Sequence, residues 1–195
     1  MLSFLERSHR ADDDAEGVPL LLKVRVTDLR TGQPAASGTA VRITQCDPDG
    51  FCYHRPARLD HPASAARRGH PAGTARIDRA FIDSVHSVDS AGLVDIATTV
   101  PGCSPGRWPH IHVEVFSYGS LIQGDRHPAT SVRIPLPADV CERAYRRPAY
   151  VDSRAPFGEL TLGGDAQFGD LHRPLLADVT GGVGTGFVAR IAVAA

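Results

Sequence analysis

The sequence predicts an all-β protein: a single β-sandwich with one short helix and long loops. Three observations carry that prediction. Short segments alternate apolar and polar residues, turns rich in Gly and Pro separate them (19 Gly and 15 Pro in 195 residues), and no internal repeat or coiled-coil pattern competes. Residues 20–29 alternate first, with Leu22, Val24 and Val26 on one face and Lys23, Arg25 and Thr27 on the other, a half-buried strand. Further strands are predicted over 40–45, 93–100, 110–116, 131–134, 175–180 and 186–193. A helix is predicted over 138–146, because Pro135 and Pro137 precede it and Asp139 near its start favours the helix dipole. Residues 1–17 are polar, acidic and aperiodic and read as a flexible arm, leaving 18–195 as one domain with a sizeable core.

A formal charge of -1 gives no electrostatic case for nucleic acid or an anionic membrane. Lys23 is the sole lysine among 21 basic residues, which reads as codon usage rather than chemistry. No apolar run approaches the roughly 20 residues that span a bilayer, and the N-terminus lacks an apolar signal core. The expectation is a cytoplasmic protein with no nucleic-acid or membrane partner. Its oligomeric state is left open, a homodimer included.

The most informative stretch is Pro101-Gly102-Cys103-Ser104-Pro105-Gly106-Arg107-Trp108-Pro109-His110-Ile111-His112, followed by the apolar strand Val113-Glu114-Val115-Phe116. Side chains two apart on a strand share a face, so His110 and His112 present two imidazoles together while Ile111, Val113 and Val115 face a core. Such a pair is half of a metal site; two surface histidines on a half-exposed strand would give the same pattern.

This stretch resembles the intradiol ring-cleavage dioxygenases of the catechol and protocatechuate type, which read P-G-(W/C)-Y-x-G-R-x-P-H-I-H before an apolar strand. The resemblance extends to Thr27-Asp28 with Gly32-Gln33-Pro34, to Cys46-Asp47-Pro48-Asp49-Gly50, to Val88-Asp89-Ser90-Ala91-Gly92-Leu93-Val94, and to the tail from Phe168 to Arg190. It covers roughly residues 18–195 and implies the family's β-sandwich. It also implies a ferric ion held by two tyrosines and two histidines, with metal-dependent oxygenation of a catechol or related phenol. His110, His112 and Arg107 carry over directly. Tyr53 carries over one place late, with Phe51 and Cys52 between it and Gly50, and Ser104 stands where the second tyrosine is usual.

The resemblance thus assigns the metal to His110, His112 and Tyr53, with Cys52 or His54 as other third donors. It assigns catalysis to Arg107 and Tyr53, and His86 joins them as a catalytic candidate on its own chemistry rather than on the resemblance. Fe³⁺ is the expected ion; Zn²⁺, Cu²⁺, Fe²⁺ or none also suit a site that has lost a hard phenolate. Arg107 offers a guanidinium to a carboxylate or a developing oxyanion. His86 and Asp83 stand where related proteins often have other residues, and His86 reads as an acid/base, an extra ligand or a buried, hydrogen-bonded ring. Cys46, Cys103 and Cys141 sit where similar secreted proteins often have cysteines, and a Cys103–Cys141 bridge is conceivable. Cys52 reads as an inert buried thiol, a ligand or a nucleophile. Residues 54–80, rich in Pro, Arg and His, read as a disordered loop or a lid. The alternative function is a repurposed cyclase, isomerase or hydrolase that uses the histidine pair and Arg107 without activating oxygen; a pure binding protein is the third class.

Overall fold

The computed structural model describes residues 17–52, 81–117, 127–169 and 175–195. The arm over 1–16, Tyr53, His54 and the 54–80 segment lie outside the described residues. Eight strands form two four-stranded sheets: β1 Pro19–Thr27, β2 Ala40–Cys46, β3 Phe81–Ser87, β4 Leu93–Thr99, β5 His110–Phe116, β6 Thr130–Pro135, β7 Asp178–Gly182 and β8 Gly186–Ala194. One sheet runs β4-β1-β8-β7 and the other β3-β2-β5-β6. All neighbours are antiparallel except β1 and β8, which run parallel with Leu20 beside Phe187 and Val26 beside Val193.

The core follows from the period-2 alternation. Leu20, Leu22, Val24 and Val26 of β1 are buried, and so are their neighbours Phe187, Ala189, Ile191 and Val193 on β8. Val41 and Ile43 of β2 and Ile111, Val113 and Val115 of β5 join them in one apolar cluster. Each Val, Leu, Ile or Phe among them contributes about 1.5–3 kcal/mol through burial. On the other face of β1, Lys23 meets its register partner Asp95 at 2.5 Å. β1 stops at Thr27 rather than running on to Leu29, because the Asp28 carboxylate accepts the N–H groups of Arg30 and Thr31 and turns the chain.

The predicted helix is α1, Ala138–Ala144. A second short helix, α2 Val151–Gly158, follows a 3-10 turn at Pro148–Tyr150. Pro148 before it, Pro156 inside it and the lack of an apolar stripe conceal α2 in the sequence. β3 escapes the sequence reading as well, since Asp83, Ser84, His86 and Ser87 dilute its alternation.

This helical segment fastens the two loops that flank the histidine strand. Tyr145 donates its hydroxyl proton to the Pro101 carbonyl and Tyr150 to that of Val100, both at 2.8 Å, and the Tyr150 oxygen accepts the Val18 N–H. Ser153, fully buried on α2, donates to the Pro48 carbonyl at 2.7 Å and accepts the Cys103 N–H at 2.9 Å. The 47–50 turn and the 101–103 segment then press so closely that a Cβ on Gly102 would collide with the Asp47 carbonyl, and one on Gly50 with the Cys103 carbonyl. Gly50 also has φ +81°, where other residues are strained. The segment leading to Tyr53 and the segment holding Ser104 are therefore neighbours, although 50 residues separate them in sequence.

The cysteines differ from expectation. Cys46 and Cys52 form a disulfide that closes the 47–51 turn, so Cys52 is neither a free thiol nor a thiolate ligand. Cys103 and Cys141 are buried, free thiols, not a bridge. Burial, with the Asp165 carboxylate second, pushes the Cys103 thiol up to about 12, so it carries no nucleophilic thiolate at neutral pH.

Candidate metal centre

β5 begins at His110 because Pro109 precedes it and the 104–107 turn sets its direction. Arg107 N–H donates to the Ser104 carbonyl at 3.0 Å, and Gly106 supplies the positive φ of +73° that the turn needs. Ile111, Val113 and Val115 then face the core, fully buried, and His110 and His112 face the other side. Register places Thr44 of β2 and Arg133 of β6 on either side of His112.

The two rings are held differently. His110 Nδ1 lies 2.6 Å from the Trp108 carbonyl. A carbonyl only accepts, so Nδ1 carries the proton and Nε2 is left with its lone pair, the arrangement of a histidine prepared to bind a metal. The Phe168 ring packs edge-on to the His110 ring at 5.5 Å between centroids. His112 Nε2 shares a hydrogen with Ser131 Oγ at 2.8 Å, and its Nδ1 lies 3.4 Å from Thr44 Oγ1. Beyond it on the same face, Arg42 grips Asp83 with Nε at 2.7 Å and a second nitrogen at 2.5 Å, and its remaining nitrogen stands 3.6 Å from Glu114.

Both imidazoles are biased towards the neutral form that a metal requires. Burial lowers the affinity of His110 for a proton, outweighing the Trp108 carbonyl that acts the other way. Burial again leads for His112, with the Arg133 guanidinium reinforcing it. The folded chain consequently binds fewer protons than the unfolded chain just below the ordinary imidazole value of 6.5. Their contribution to stability is complete above about 6.5 and is lost as the pH falls through the depressed folded values. Thermal denaturation of metal-free protein is expected to show Tm falling across that window, and His110→Gln with His112→Gln is expected to flatten the fall.

Among the other expected site residues, Arg107 is half-buried and forms no ion pair among the described residues. His86 is not brought to the pair. Its register partner is Val41, a core-facing residue, and its ring bonds Ser84 Oγ at 2.9 Å. Asp83, opposite Thr44, is the β3 residue that shares the His112 face, and His86 lies three positions further on, an odd step to the reverse face. Tyr53 and His54 lie outside the described residues, and among the described residues no three His, Cys, Asp or Glu side chains are grouped to hold a metal. His110 and His112 therefore fit two nitrogens of a coordination sphere. Sequence reasoning missed Ser131, Arg133, Asp165 and Phe168, whose places depend on cross-strand register and on a loop distant in sequence.

The chain has the fold of the intradiol ring-cleavage dioxygenases. It is similar to an intradiol ring-cleavage dioxygenase from Tetranychus urticae (TM-score 0.66, 18% identity, covering 91% of this chain and 80% of that one). It is similar also to the dioxygenase domain of a dioxygenase carbohydrate-binding protein fusion from Streptomyces sp. SirexAA-E (0.54, 20%, 93% and 81%). A third likeness is to 3-chlorocatechol 1,2-dioxygenase from Rhodococcus opacus 1CP (0.52, 14%, 92% and 60%). At these identities the likeness is one of fold. No protein-family model and no curated protein matches the chain. No helix among the described residues is long and apolar enough to cross a membrane.

Proposed function

We propose that the chain is a metal-dependent oxygenase of the intradiol type, acting on a catechol or related phenol with an altered ligand set. The observation that carries this is the His110–His112 pair on one face of β5, with the His110 Nε2 lone pair freed by the Nδ1–H bond to Trp108. His110 and His112 would hold the ion, Fe³⁺ before Zn²⁺, Cu²⁺ or Fe²⁺, with Tyr53 as third donor. Such an ion would supply Lewis acidity towards the oxygens of a catechol and a path for electron density to dioxygen. The chain's own part is to keep both rings neutral, to orient them through Trp108, Thr44 and Ser131, and to offer Arg107 to the substrate's developing anionic charge. This reading gives no part to His86, whose register partner is the core-facing Val41.

A second reading, a repurposed cyclase, isomerase or hydrolase on the same scaffold, is favoured by one observation: two positions that could have supplied an anionic ligand do not. Cys52 is tied into a disulfide, and Ser104 has no phenol. Metal analysis and oxygen uptake separate the two. Protein prepared with ample iron is expected to retain it, to show a visible tyrosinate-to-iron band, and to consume oxygen with catechol or protocatechuate. Metal confirmed in the site without oxygen uptake on either substrate would transfer the assignment to the second reading.

A further inference from the structure

Asp165 is a buried carboxylate in a loop after α2, only 1% exposed, and neither the fold class nor the histidine motif requires it. Its two oxygens act in two directions. Oδ1 accepts the Gln167 N–H at 2.7 Å, an ordinary turn contact within its own loop. Oδ2 reaches across the molecule to the Trp108 N–H, at 2.6 Å and 57 residues away. A turn-forming aspartate needs only the first contact. The second takes a charge out of water, which is costly unless the charge is tightly bonded.

The partner it selects is informative. Trp108 is the residue whose carbonyl receives the His110 Nδ1–H, so one peptide unit on each side of Trp108 carries a link of the chain Asp165–Trp108–His110. The indole is fixed as well, with Nε1 donating to the Leu136 carbonyl at 2.9 Å and the ring against Phe157. The main-chain oxygen of Asp165 meanwhile accepts the N–H groups of Phe168 and Gly169 at 2.9 and 2.7 Å, which folds the loop so that the buried Phe168 ring meets the edge of His110. The same residue thus holds the group that fixes the His110 tautomer and the group that fixes the ring plane.

We propose that Asp165 is a positioning residue for His110, fixing its Nδ1–H tautomer through Trp108 and its ring plane through Phe168, so that Nε2 is presented to a metal. This rests on the reading of His110 as a ligand, but the tautomer can be observed without any metal. The carboxylate also acts on His110 directly, its charge opposing the loss of proton affinity that burial imposes. Outer-shell partners of this kind typically change metal affinity by about 10–100-fold when removed.

The test uses metal-free full-length protein labelled with nitrogen-15 histidine, with the His110 ring signals assigned by His110→Gln and recorded where the ring is neutral. Wild type is expected to show a protonated Nδ1 and a bare Nε2, and to bind Zn²⁺ calorimetrically. Asp165→Ala is expected to give mixed tautomers at His110 and Zn²⁺ binding weaker by about 10–100-fold. A folded Asp165→Ala with the wild-type tautomer overturns the proposal. Should that variant not fold, Asp165→Asn keeps the volume but has one acceptor oxygen for two N–H groups. One arm must then let go, moving either the tautomer or the Phe168–His110 contact seen as a proton–proton Overhauser effect. A folded Asp165→Asn with both unchanged overturns it equally. Wild type that binds no Zn²⁺, with a tautomer that still depends on Asp165, would sink the metal reading and support the positioning role.

Discussion

Replacing His110 and His112 together by alanine is expected to abolish metal retention while leaving the sandwich folded. The residues that carry β5 into the core are Ile111, Val113 and Val115, all fully buried and all untouched by the change. What is lost is the outward face: the His110 contact with Phe168 and the bonds to the Trp108 carbonyl, Thr44 and Ser131. The Trp108 carbonyl loses its acceptor role beside a buried indole, so a stability loss of roughly 1–3 kcal/mol is expected, the range for a single orphaned polar group. Two imidazole donors disappear at once, and no group of three His, Cys, Asp or Glu side chains among the described residues stands in for them. Metal content after purification with ample iron is the readout, with circular dichroism and thermal unfolding as controls. A double variant that keeps its metal would place the ion elsewhere in the molecule.

What the sequence made legible, and what it did not, follows the range of the interactions. The alternation of β1, β2, β5 and β8 is a local signal, and the burial of Leu22, Val24, Ile43, Val113 and Ile191 reproduces it. The facing of His110 and His112 to one side is equally local, because strand parity fixes it. Parity also places His86, but only once register ties β3 to β2, and register is not written in a polar edge strand such as Phe81–Ser87. The Cys46–Cys52 disulfide was hidden because four cysteines permit three full pairings, and the resemblance pointed to Cys46, Cys103 and Cys141 but not to Cys52. Asp165 was the hardest to see. In Gly163-Gly164-Asp165-Ala166-Gln167 it has the composition of an ordinary turn, and only the fold brings its second oxygen to Trp108.

Arg107→Ala is expected to lower kcat/KM on a catechol by about 10²–10³-fold, the cost of losing one preorganised donor to developing charge, with metal content unchanged. The main chain at Arg107 is held from both sides. Its own N–H closes the turn onto Ser104, and the following N–H is fixed by Asp165. The side chain therefore leaves a rigid base three residues before His110. No acidic group among the described residues forms an ion pair with it, whereas Arg42 on the neighbouring strand is already engaged by Asp83 and Glu114. Of these two arginines, Arg107 is the one with donors to offer a substrate. Arg107→Lys keeps the charge and discards the planar fork, so it is expected to recover only part of the loss. Oxygen uptake across a substrate series, with iron content measured for each variant, decides the matter. Kinetics of Arg107→Ala equal to wild type at equal iron content would return Arg107 to the status of a turn residue and remove the main support for anion stabilisation at this site.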